Sequence, residues 1–159
     1  IDIAVRAFEK LPDKKLYVAG NGPMMEEMQR YVREHHMENV KFLGYLQKDE
    51  MSEKFYQAKA VIMTSQCYEA FAMTIAEAYS YGVPVIAGRV GNMDGMVQDG
   101  ITGVKFTYNS AEDLADKISA FDAMELSVLK KNARAFYAER LRPEDNYQKL
   151  IRIYEDISK

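Results

Sequence analysis

Two carboxylates eight positions apart, Glu69 and Glu77, are the residues of this 159-residue chain whose type and spacing could do chemistry. Ala60 to Met63 reads as a short buried strand, and Thr64 to Phe71 as the loop that leaves it. Thr74 to Tyr81 reads as a helix ended by Gly82, and Pro84 to Ala87 as the next strand. In open α/β sheets, ligands collect beyond the carboxyl ends of strands, against helix N-termini whose free amides favour anions. Glu69 and Glu77 would flank such a terminus, and the function should be sought there.

Each candidate also has a purely structural reading. Thr74-Ile75-Ala76-Glu77 has the form of a capping box, in which the hydroxyl accepts from the third amide and the glutamate reaches back to the cap. Glu69, beside Tyr68 and Phe71, has no comparable structural duty. Gly20-Asn21-Gly22 follows a strand and precedes a helix, which suits either a phosphate loop or a tight turn. It lacks the third glycine of the dinucleotide fingerprint. His35 and His36 are neighbours in sequence, so their side chains do not converge, and no Cys or third His lies nearby. No metal is expected. The ten methionines read as core filler, and no Ser-His-Asp or Cys-His signature stands out.

The elements that would position these residues alternate along the chain. Ile1, Val5, Phe8 and Leu11 recur at helical spacing, with Pro12 as a stop. Lys15 to Ala19 reads as a strand, Met25, Met28, Tyr31 and Val32 as the stripe of a helix opened by Pro23, and Val40 to Leu43 as a second strand. Met51, Phe55 and Ala58 place the helix before Ala60. Gly88 to Gly103 reads as a loop with one short helix near Met93 to Val97, and Gly103 to Phe106 as the last strand. Ser110 to Asp113 opens a capped helix carrying Leu114 and Ile118. A helix through Leu126, Leu129, Ala133, Phe136 and Tyr137 follows, and one after Pro143 presents Tyr147, Ile151 and Tyr154 on one stripe. Strands alternating with helices predict a parallel sheet covered on both faces.

Composition narrows the partners. With 21 basic against 24 acidic residues, nothing draws the chain to nucleic acid. The single cysteine, Cys67, excludes an internal disulfide framework and suits a reducing compartment. The chain opens at Ile1 without a methionine, which reads as a fragment.

The run Glu69-Ala70-Phe71-Ala72 through Glu77-Ala78, followed by Gly82-Val83-Pro84-Val85-Ile86-Ala87, resembles the C-terminal, donor-binding domain of retaining glycosyltransferases of GT-B fold. It is most similar to the large group that includes sucrose-phosphate synthases and bacterial mannosyl- and N-acetylglucosaminyltransferases. The likeness extends through Gly20 to Pro23, Val40 to Gly44, Asp99 to Gly103 and the Ala133 to Tyr154 tail, nearly the whole chain.

The resemblance implies a Rossmann-like three-layer α/β/α domain over residues 1–159, one half of a GT-B fold. Its implied function is transfer of a sugar from a nucleotide-sugar to an acceptor with retention, as in polysaccharide or glycoconjugate synthesis. Glu69 would be the catalytic carboxylate, facing the donor sugar, and Glu77 would hold the ribose hydroxyls. Backbone amides around Phe71, Ala72, Met73 and Thr74 would meet sugar hydroxyls and the diphosphate. Gly20, Asn21 and Gly22 would lie beside the phosphates, and backbone near Tyr45 and Leu46 beside the base.

No cofactor or metal is implied beyond the nucleotide-sugar donor. The implied partner is the protein's own N-terminal acceptor-binding domain. Location would be cytoplasmic, with room for peripheral contact through that domain at the inner face of the membrane.

Three departures qualify the likeness. Ala70 and Ala72 stand where the family usually has glycine, so a positive φ there would be strained. Gly91-Asn92-Met93-Asp94-Gly95 lacks the proline and glutamate of the family's G-G-x-P-E loop. The family's opening strand, normally central in the sheet and bringing an arginine and a lysine to the diphosphate, would precede Ile1. Without those cations the chain alone should bind donor weakly and turn nothing over. A GT-B fold nucleotide-sugar epimerase and a non-catalytic Rossmann-like interaction module remain alternatives.

Overall fold

The computed structural model describes residues 1–68 and 70–157. Helices and strands alternate as α1 (Asp2–Glu9), β1 (Leu16–Ala19), α2 (Met25–Glu34), β2 (Val40–Gly44), α3 (Lys48–Gln57), β3 (Val61–Met63), α4 (Met73–Ser80), β4 (Val85–Gly88), α5 (Gly91–Met96) and β5 (Gly103–Phe106). Three helices close the chain: α6 (Ala111–Phe121), α7 (Leu126–Arg140) and α8 (Pro143–Ile157). All strand pairs among the described residues are parallel, as expected from the alternation.

They form two sheets rather than one. β1 pairs with β2, and β3, β4 and β5 pair in that order. β4 shows why a parallel strand reads as an apolar run. Its Ile86 packs into a core with Phe8 of α1 and Leu114 and Ile118 of α6, while Val85 and Ala87 point to the opposite face, among Ile75 and Tyr79 of α4 and Ala133 of α7. The two cores are the two covered faces.

β3 corrects one expectation. The sequence predicts a buried strand, yet Val61, Ile62 and Met63 are all half-buried, whereas the four residues of β4 are buried. The difference is one of neighbours: β4 is paired on both sides and β3 on one. Tyr17 of β1, at the edge of the other sheet, is 48% exposed.

Local signals hold at several element ends. The Ser110 hydroxyl accepts from the Asp113 amide at 3.1 Å and caps α6. Gly82, just past α4, takes φ +68, the left-handed value that ends a helix. α8 buries none of its residues, and Tyr147 and Tyr154 are 59% and 60% exposed.

Candidate functional site

The loops after β1, β2 and β3 all lie at the carboxyl ends of the strands. Beyond Ala19 the chain turns at Gly20, whose φ of +103 is a conformation that glycine adopts without strain. Its amide donates to the Gly44 carbonyl at 2.7 Å, which holds the β1 turn against the end of β2. Gly22 then accepts from the Met25 amide, and α2 begins at Met25, two residues after Pro23. A side chain at Gly20 or Gly22 would meet no heavy atom within 4 Å, so this turn faces open space. Tyr45, 70% exposed, and Leu46 follow Gly44 directly.

On the other sheet, the loop from Thr64 leads to α4. Glu69 lies outside the described residues. On either side of it the loop is pinned from its neighbours: Gln66 Nε2 donates to Asn109 Oδ1 at 2.9 Å, the Tyr108 hydroxyl to the Gln66 carbonyl, and Asn92 Nδ2 to the Ala70 carbonyl. α4 starts one residue earlier than the sequence predicts, at Met73, with Ala72 as its N-cap. Ala72 has φ −83, so alanine in place of the family's glycine carries no left-handed strain here.

The shifted start removes the capping box. Thr74 is the second residue of the helix, not its cap, and α4 has no side-chain cap hydrogen bond. Among the described residues, the Ala72 and Thr74 amides find no acceptor. The Glu77 carboxylate likewise has neither hydrogen bond nor ion pair among them. Thr74 and Glu77, three apart, share one exposed helix face. Both line a cavity of ≈ 830 Å³ with Ala19, Leu43 and Thr64.

The structure therefore brings Thr74 and Glu77 together with the ends of β1, β2 and β3. Phe71 and Met73 are 48% and 61% exposed at the start of the same helix. A polar ligand laid there would meet unsatisfied amides at the positive end of α4 and an acceptor carboxylate one turn on. Ala19 lines the same cavity, whereas Gly20 to Gly22, Tyr45 and Leu46, which follow the ends of β1 and β2, are not among its lining residues. Among the described residues, no cluster of three His, Cys, Asp or Glu could hold a metal ion.

Two supporting networks escaped the sequence reading. Under α4, the Tyr79 hydroxyl shares a 2.7 Å hydrogen bond with Thr102 Oγ1, which in turn accepts from the Gln98 amide at 3.0 Å. Burial pushes the Tyr79 phenol up to about 12, against the lowering effect of Thr102, so it stays protonated and ties α4 to the segment entering β5. Beside it, Lys105 Nζ reaches Asp94 Oδ1 at 2.9 Å and the Asp94 carbonyl at 2.5 Å, while Arg89 pairs with Asp99 at 2.9 Å. Asp94, in the loop that lacks the family's proline and glutamate, is thus an ion-pair anchor for α5. Opposite charges ten or so residues apart were the only available signal, and such spacings are common on any surface.

The chain resembles known proteins along most of its length. The family described as "Glycosyl transferases group 1" matches residues 1–136. N-acetyl-alpha-D-glucosaminyl L-malate synthase of Bacillus anthracis is 29% identical over 157 residues, 96% of this chain and 40% of that protein. Sulfoquinovosyl transferase SQD2 of Arabidopsis thaliana is 29% identical over 139 residues, 84% of this chain and 26% of the relative. The fold superposes on Anabaena HepE, solved with UDP and glucose, with a TM-score of 0.85 at 22% identity, covering 98% of this chain and 44% of that one. It superposes on sucrose-phosphate synthase of Thermosynechococcus elongatus with a TM-score of 0.86 at 24% identity, covering 98% and 41%. In each case the chain spans less than half the length of its relative.

Proposed function

The chain belongs to the glycosyl transferases group 1 family, and we propose that it is the donor-binding, C-terminal domain of a retaining member. The observation that carries the proposal is the pairing, on one face of α4, of an unpartnered helix-start amide at Thr74 with an unpartnered carboxylate at Glu77. Both open onto the cavity at the ends of β1, β2 and β3. The amides and helix dipole suit a diphosphate, and the carboxylate suits a vicinal diol, as ribose offers. UDP in a structural neighbour supports a nucleotide as the ligand.

In the whole protein, the bond from the anomeric carbon to the diphosphate breaks with its electron pair going to the phosphate oxygen. The acceptor hydroxyl forms the new bond on the same face and gives its proton to the departing phosphate oxygen. Negative charge grows on the leaving diphosphate, so donors aimed at it stabilise the transition state more than the ground state. The Thr74 amide supplies such a donor, and so do the Asn21 and Gly22 amides of the glycine turn, whose Gly20 amide is already engaged by Gly44. Glu77 orients the nucleoside, and Glu69 takes the sugar hydroxyls.

The test is a titration of the chain with UDP, GDP, ADP and UDP-glucose, read by amide NMR shifts. Binding by this chain alone should fall roughly in the millimolar to high-micromolar range, ~4–6 kcal/mol. Shifts should cluster at Gly20–Gly22, Tyr45–Leu46 and Phe71–Glu77. If no nucleotide moves these amides at millimolar concentration, the donor-site reading fails.

A further inference from the structure

We propose that Tyr108 and Asn109 on one side and Asn92 on the other are positioning residues. They form a two-post clamp that fixes the loop between β3 and α4 where it meets the sugar end of a bound donor. The inference rests on the donor reading above, to which it adds what supports the sugar half of the site.

The loop does not hold itself. Among the described residues, no backbone–backbone hydrogen bond ties Ser65, Gln66, Cys67, Tyr68 or Ala70. From Gln66 to Phe71 every described residue is exposed. Such a segment is ordered only where side chains from elsewhere satisfy its polar groups. Three contacts do so. The Tyr108 hydroxyl donates to the Gln66 carbonyl at 3.1 Å, and Gln66 Nε2 donates to Asn109 Oδ1 at 2.9 Å. Asn92 Nδ2 donates to the Ala70 carbonyl. They take the chain at Gln66 and at Ala70, before and after Glu69 in the sequence.

Both posts stand on β5. That strand is ladder-paired to β4 along its length, and its Val104 and Phe106 are buried. At its exit the Thr107 amide donates to the Asp113 carboxylate, and the Ser110 amide donates to the Thr107 carbonyl at 3.1 Å. Between these ties Asn109 takes φ +59, a left-handed value that asparagine tolerates better than most residues with a side chain. The turn so fixed presents Tyr108 and Asn109 to Gln66. The second post is α5, which carries Asn92. Asp94 of the same helix pairs at 2.9 Å with Nζ of Lys105, a β5 residue whose side chain is only 13% exposed. One strand therefore carries both ends of the clamp.

α4 is seated differently, by burial of Ile75 and Tyr79 in a core with Val85 of β4 and Ala133 of α7. The nucleotide end and the sugar end of the donor thus have separate supports, and releasing the clamp touches the second alone.

The test reads the 159-residue chain in two ways. One is backbone amide relaxation at Gln66, Cys67, Tyr68, Ala70 and Phe71. The other is titration with UDP, UDP-glucose and UDP-N-acetylglucosamine. Tyr108→Phe with Asn109→Gly frees the Gln66 side, because glycine keeps the positive φ and removes the acceptor. Asn92→Ala frees the Ala70 side. Asn109→Asp keeps an acceptor in the same backbone conformation, and Gln66→Met releases the loop with the β5 turn untouched, should the double variant fail to fold. Loop order parameters should lie above about 0.8 in the parent and fall below about 0.6 when the clamp is released. At least one sugar nucleotide should bind the parent more tightly than UDP. Release should cut that advantage roughly three- to tenfold while UDP affinity stays within about twofold, and Asn109→Asp should match the parent. A parent loop already mobile, unchanged order in the variants, or equal losses for UDP and its sugars overturns the clamp and leaves the donor reading standing. So does a parent that binds no sugar nucleotide more tightly than UDP. A parent that binds no nucleotide at all refutes the donor reading itself, and with it the clamp's part in sugar binding, even where the variants lose loop order.

Discussion

Replacing Glu77 by glutamine separates a binding carboxylate from a structural one. The substitution keeps size and shape and exchanges one carboxylate oxygen for an amide. A capping-box glutamate would tolerate it, because glutamine serves there too. The structure removes that role, since α4 is capped at Ala72 and Thr74 lies inside the helix. What remains for stability is the charge's interaction with the helix dipole. That is worth about 0.3–1 kcal/mol in the first turn and less at the fifth helical position, where Glu77 stands. For a domain of this size it amounts to a Tm change of at most about 2–4 °C.

Binding should respond much more. A hydrogen bond to a charged group is worth ~1.5–3 kcal/mol, so nucleotide affinity should fall at least about tenfold. The assay is parallel titration of both chains with UDP and with its 2′,3′-dideoxy analogue. If Glu77 grips the ribose hydroxyls, the wild-type chain loses affinity for the analogue while Glu77→Gln loses nothing further, because the same interaction is removed twice. Undiminished UDP affinity in Glu77→Gln, or additive losses in the cycle, would refute the reasoning.

Three further outcomes follow from the packing. Gly103→Ala should destabilise by about 3 kcal/mol or more, because its Cβ would lie 1.8 Å from the Val85 carbonyl and force β4 and β5 apart; an unchanged denaturation midpoint would contradict this. Tyr79→Phe should cost about 1–2 kcal/mol by removing one of the two partners of the buried Thr102 hydroxyl, measured by urea unfolding, with UDP binding retained. Glu9 accepts from the Tyr31 hydroxyl and lies 2.6 Å from His35 Nδ1, and these hydrogen bonds, Tyr31's first, hold its carboxyl below the usual range. A depressed native value means the contribution is complete above the ordinary glutamate value and is lost as pH falls through the native one. Glu9→Gln should therefore lower stability at neutral pH and flatten the acid limb, with variant and parent converging below the native value in urea unfolding followed against pH; an unchanged midpoint at neutral pH would contradict this.

Much of this architecture was legible in residue order because local rules and long-range packing agreed. Gly103 to Phe106 is the predicted strand, Ser110 caps its helix, and Gly82 ends α4. The failures are places where packing outvoted a local signal. Thr74-x-x-Glu77 has every residue of a capping box, but Ala72 and Ile75 are fully buried, and their burial sets where α4 begins. The apolar run at β3 predicts burial because composition reports what a strand could cover, not whether a neighbour is there. The Tyr79–Thr102 bond spans 23 residues, and neither residue type announces a buried partner. Of the candidate site, the Gly20 turn and Glu77 were legible as types at strand ends. That Glu77 is unpartnered followed only from the helix register.

The two halves of the candidate site ride on different sheets, which bears on how tightly they can act together. The Gly20 turn and Tyr45 belong to β1 and β2, whereas Thr74 and Glu77 ride on α4, packed against β4 and α7. No backbone ladder joins the two sheets among the described residues. Side chains tie them instead: α1 packs on α6 and shares a core with Leu16 and Val40 of the first sheet, and Lys14, before β1, pairs with Asp122 after α6 at 2.6 Å. A ligand that touches both halves must therefore fix their separation as it binds, at the expense of affinity that a rigid site would keep. Weak nucleotide binding in this chain is consequently expected from its sheet organisation as well as from its charges. The separation of Gly20 and Glu77 is held by side chains, in the shared core and at the Lys14–Asp122 pair, a softer spring than a shared strand.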